Sequence, residues 1–128
     1  MTPDELTAAL NACAAGLYPL EAGVALLTAE GTFLRRDDFT TRFIEHGTSS
    51  RTVMAAIDWD AATAALHAGE LPCSGGERRV LELASSLSGG IPVNLRDAVT
   101  GLDDHNIQRL VTAILHTSGK RPEPGLYR

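Results

Sequence analysis

Asp103, Asp104 and His105 stand in a row, with Asp97 a few residues upstream. Carboxylates and an imidazole at such spacing can ligate a divalent cation or move a proton, provided the fold turns them into one concave pocket. The same letters also suit a helix start, where Asp103 caps free amides and the carboxylates offset the helix dipole. The other histidines, His46, His67 and His116, do not pair at a helical metal spacing. Cys13 and Cys73 form no CxxC pair and are expected as buried free thiols. No serine sits in a readable nucleophile setting. The sequence therefore carries no catalytic set, and no cofactor or metal is expected. A site at Asp97, Asp103, Asp104 and His105 is the enzyme alternative.

Ser74, Gly75 and Gly76 offer a second chemistry. Two glycines leave amides unshielded at the positive end of a helix, which makes a weak anion site. Ser74 followed three residues later by Glu77 is also a capping box, and it opens an apolar-periodic segment with Val80, Leu83, Ala84 and Leu87 on one side.

The run Ser74-Gly75-Gly76-Glu77, with Leu83-Ala84 and Leu87 behind it, resembles the signature helix of the ABC ATPase family. About twenty residues on, Asp97-Ala98-Val99-Thr100-Gly101-Leu102-Asp103 is similar to that family's Walker B and D-loop passage. The resemblance implies nucleotide chemistry, and the rest of the chain departs from it. No GxxxxGK[ST] loop is present to wrap phosphate, and Lys120, the sole lysine, is followed by Arg121 and Pro122. Ala98 stands where the family has an acidic residue. Asn94 and Arg96 interrupt the apolar strand that should precede Asp97. A complete nucleotide site is not expected.

The elements that position these residues read as helices. Thr2, Pro3 and Glu5 start one that carries Leu6, Leu10, Cys13 and Leu17, with a stop at Gly16. A second runs from Pro19 to Gly31, and a third from Arg36 to His46 with Phe39 and Phe43 on one face. Gly47 to Arg51 is a loop. Val53 to Ile57 is read as helix or irregular structure, since no second strand is evident to pair with it. Asp58 begins a helix with Trp59, Ala62 and Leu66 inward, and the Ser74 helix ends at Gly89-Gly90. Asn94 caps a short helix over Leu95 to Thr100. Asp103 caps a last one with Ile107, Leu110, Val111, Ile114 and Leu115 as its apolar stripe. Residues 95 to 117 also match a helix-turn-helix, in which Asn106, Gln108 and Arg109 could face bases, although Asp103 and Asp104 would repel the phosphates.

These elements predict an all-α, compact single-domain bundle of six or seven short helices over residues 1–119, with a flexible tail over 120–128. Hydrophobic residues are 44 % of the 128, aromatics 5 %, so the core must be aliphatic. A formal charge of −5 disfavours nucleic acid. No apolar run approaches the roughly 20 residues of a membrane span, and no basic start leads into an apolar run, so the chain reads as cytoplasmic. The expected function is that of a small accessory or regulatory protein that acts non-catalytically by protein–protein binding. Its partner would be another protein or a second copy, and a DNA-associated regulator is the other alternative.

Overall fold

The computed structural model describes residues 1–120. In chain order the elements are α1 (Pro3–Ala14), α2 (Tyr18–Glu30), a 3-10 turn (Phe33–Arg35), α3 (Asp37–Phe43), β1 (Ile44–Ser49), β2 (Thr52–Ile57), α4 (Trp59–His67), α5 (Gly75–Gly89), α6 (Leu95–Thr100) and α7 (Asp104–Thr117). The protein is thus mostly helical, but it is not all-α: β1 and β2 form a two-stranded antiparallel sheet. The expected tail beyond residue 120 lies outside the described residues. Lys120 itself is held, its amide donating to the Leu115 carbonyl at 2.8 Å.

α2 is the centre of the bundle. Its sequence, YPLEAGVALLTAE, is apolar almost all round, and a helix of that kind has to be covered on several sides. α1, α5 and α7 all pack against it. Gly23 is buried at its midpoint and lets α5 approach to backbone contact near Ala84 and Ser88. The helix stops at Gly31, whose positive φ of 88° suits a residue without a side chain. Phe33, Phe39 and Phe43 then stack at ring separations of 5.2 and 5.4 Å and join the core formed by Leu10, Leu27, Val80 and Leu81.

Two stretches differ from the helical reading. α3 ends at Phe43 rather than His46, because the backbone turns extended at Ile44 (φ −118°, ψ 122°). Thr52–Ile57 is strand and not helix, paired from Ile44↔Ile57 to Ser49↔Thr52. Only two residues, Ser50 and Arg51, join the strands, and both have positive φ (49° and 68°), as a tight hairpin requires. A hairpin is marginal alone, and this one is held by α1, which lies across β2 and buries Ala55 and Ile57.

The stripe predicted on α7 is buried only in part. Of its apolar members only Leu110 is fully in the core, joined there by Ala113; Ile107, Val111 and Leu115 are half-buried and Ile114 is 48 % exposed. Leu17, placed on α1 by spacing, instead precedes α2 and is exposed. Cys13 and Cys73 are free as expected but half-buried rather than buried.

Candidate functional site

Both halves of the capping box at Ser74 are formed. Ser74 Oγ accepts from the Glu77 amide at 3.1 Å, and Glu77 Oε1 accepts from the Ser74 amide at 2.7 Å. That amide, together with the Thr32 hydroxyl, holds the Glu77 carboxyl below its usual range. The chain's own carboxylate therefore stands at the positive end of α5, beside the Gly75 and Gly76 amides. Arg79 lies against both Gly75 and Gly101, so the start of α5 and the α6–α7 turn share one guanidinium. Nearby, Arg36 donates to both oxygens of Asp38 and, at 2.6 Å, to the Pro72 carbonyl. Burial pushes the Cys73 thiol up, as does the Glu77 carboxylate, so the cysteine in this network is not an activated thiolate.

Asp97, Asp103, Asp104 and His105 are all exposed and serve separate helix ends. Asp103 Oδ1 accepts from the Asn106 amide at 2.8 Å, while the Asp97 amide donates to Asn94 Oδ1 at 3.1 Å. Asp97 sits in the first turn of α6 and not at the end of a strand. Among the described residues no three His, Cys, Asp or Glu side chains come together as a metal would need. His105 points instead into a groove of about 420 Å³ between α2 and α7, floored by Ala22, Leu26 and Ala113. His116, which also lines that groove, is held by Glu21, whose carboxylate accepts from His116 Nε2 at 2.6 Å and from the Gly16 amide at 2.7 Å. Of the residues expected to face bases, Asn106 is buried and accepts from Arg109 Nη1 at 3.0 Å, which leaves Gln108 exposed.

A different surface has the geometry of a binding site. Counting from the two-residue turn, Ser49, Gly47 and Glu45 direct their backbone groups to β2, and those of His46 and Thr48 point away. His46 and Thr48 have no backbone hydrogen bond to any described residue beyond the hairpin. Their side chains share a sheet face with Ala55 and Ile57, but α1 covers β2 and leaves both exposed. Beside this edge opens a groove of about 640 Å³. Leu6, Leu34 and Ile44 lie at its base, all buried, and Arg35, Asp37 and His46 line it too.

No protein-family model, curated protein or solved structure matches the chain.

The functional reading therefore rests on these surfaces alone. Sequence reasoning missed the β1 edge because it carried α3 through His46. The apolar run Val53 to Ile57, with β-branched residues at both ends, was a weak strand signal, but IEHGTS at 44–49 carries no apolar alternation that would have marked its partner. Of the described helices, none is long and apolar enough to cross a membrane.

Proposed function

We propose that this is a small helical accessory protein that acts by binding another protein, taking an extended segment of that partner as a third strand on β1. The observation that supports it is the free edge of His46 and Thr48 beside a groove with an apolar base. In strand addition, main-chain hydrogen bonds supply affinity, and pockets for alternate side chains supply specificity. Here the outward N–H and C=O groups of His46 and Thr48 receive the incoming backbone. One side chain of the added strand enters the groove and meets Leu6, Leu34 and Ile44, so the partner segment carries an apolar residue there. Self-pairing of β1 about Gly47 fits less well. It would present Thr48 and His46 of the second copy on that face, and neither matches an apolar base.

The test is affinity purification of the full chain from its native host, beside a Thr48→Pro variant. The Thr48 amide points away from β2, so proline there removes an edge donor and no ladder hydrogen bond. Stoichiometric capture of a partner by the wild type, lost in a Thr48→Pro chain with an unchanged melting temperature, is the expected result. Wild-type chain recovered alone, or capture indifferent to Thr48→Pro, overturns the proposal.

A further inference from the structure

α7 is more amphipathic than α1, α2, α4 or α5, yet the described residues cover its apolar side only in part: Ile114 is exposed and Ile107, Val111 and Leu115 are half-buried. Ile107, Val111, Ile114 and Leu115 fall at i, i+4, i+7 and i+8, one strip about 12 Å long at a rise of about 1.5 Å per residue. The strip lies around the helix from the groove-lining side that carries His105, Arg109, Thr112 and His116. Its two ends differ in charge. Asp103 and Asp104 precede it, and Lys120 follows it, all three exposed.

We propose that this strip packs against the same strip of a second copy, antiparallel, with the twofold axis at Val111. In that arrangement Ile107 of each copy meets Leu115 of the other, and Val111 meets Val111. Charge selects the direction: antiparallel pairing sets Asp104 of one copy beside Lys120 of the other at both ends and opposes the helix dipoles. Parallel pairing would stack Asp104 on Asp104. The acidic start of the helix and the net charge of −5 also disfavour an anionic lipid surface as the occupant. α7 packs on α2 and α5, whereas the hairpin packs on α1 and α3, so this pairing leaves the β1 edge free for the separate binding proposed above. A single-helix contact is smaller than the roughly 800 Å² per partner of a standard interface, so the dimer is a weak one, dissociating on the order of tens of micromolar.

Sedimentation velocity of the purified full chain across about 1 to 300 µM tests this, since such a range spans a weak dissociation constant. The mass is expected to rise with concentration from 13.6 kDa toward twice that value. Ile114→Glu, at an exposed position, is expected to weaken association by about tenfold or more without lowering the melting temperature of the monomer. Lys120→Asp should weaken it as well, and Asp104→Lys added to Lys120→Asp should restore it, a rescue that only antiparallel contact provides. Four results would overturn the inference. They are a monomer at every concentration, association indifferent to Ile114→Glu, failure of the charge swap to rescue, and a monomer whose capture of a different protein depends on Ile114. The Thr48→Pro variant should still dimerise, which separates failure here from failure of the strand-addition site.

Discussion

Gly23 of α2 lies against Ala84 and Ser88 of α5: a Cβ at position 23 would overlap Ser88 Oγ and stand 2.9 Å from the Ala84 carbonyl oxygen and 3.0 Å from Ser88 Cβ. The better helix propensity of alanine cannot help here, because Ser88 Oγ can rotate away but the Ala84 carbonyl and Ser88 Cβ cannot. Gly23→Ala is expected to destabilise the fold by about 1–3 kcal/mol in urea unfolding. Adding Ser88→Ala removes the overlap with Oγ but should recover only part of the loss, since the Ala84 carbonyl and the Cβ at position 88 stay in place. Wild-type stability in Gly23→Ala would refute the close approach.

The capping box at Ser74 is a stability element independent of any ligand. Ser74→Ala removes the acceptor for the Glu77 amide and leaves the backbone donor to the Glu77 carboxylate in place, so only one half of the reciprocal pair is lost. The expected loss is about 1 kcal/mol, with Ser74→Asp retaining most of the wild-type value. Wild-type stability in Ser74→Ala would show that the cap contributes nothing.

Glu21 makes the fold sensitive to acid. The hydrogen bond from His116 and then that from the Gly16 amide hold its carboxyl below the ordinary glutamate value of 4.5. A carboxylate whose folded pKa lies below its unfolded one stabilises the fold above the unfolded value, and the contribution vanishes as pH falls through the folded value. Stability is therefore expected to drop on acidification below about 4.5, less steeply in Glu21→Gln than in wild type. Melting curves of the two proteins across that interval supply the comparison; parallel curves would remove Glu21 from the account.

The hairpin turn is strained at Ser50 and Arg51, both at positive φ without being glycine. Ser50→Asn with Arg51→Gly supplies the pair that tight two-residue turns favour, and a gain of about 1 kcal/mol is expected. An unchanged or lower melting temperature would count against a turn of that type.

Helix starts were legible in the letters because caps are local. Thr2, Asp58, Ser74, Asn94 and Asp103 each accept the amide hydrogen bond that their position in the sequence announced. Phe39 and Phe43 share a buried face as their spacing required. The hairpin was not legible. Its turn lacks the Asn-Gly or Asp-Gly signal, its strands contain Gly47 and small alanines, and the helical spacing of the phenylalanines runs smoothly into Ile44.

By itself, then, the sequence determined a mostly helical chain, the places where its helices begin and the lack of a phosphate-binding loop, since each depends on residues close together along the backbone. Only the tertiary structure decided that residues 52–57 are strand, because a strand exists through its partner and this one also needs α1 across it. It likewise decided which apolar stripe is covered. Periodicity marks a face on α7, but how much of that face is buried depends on where α2 and α5 lie, and they leave Ile114 in water.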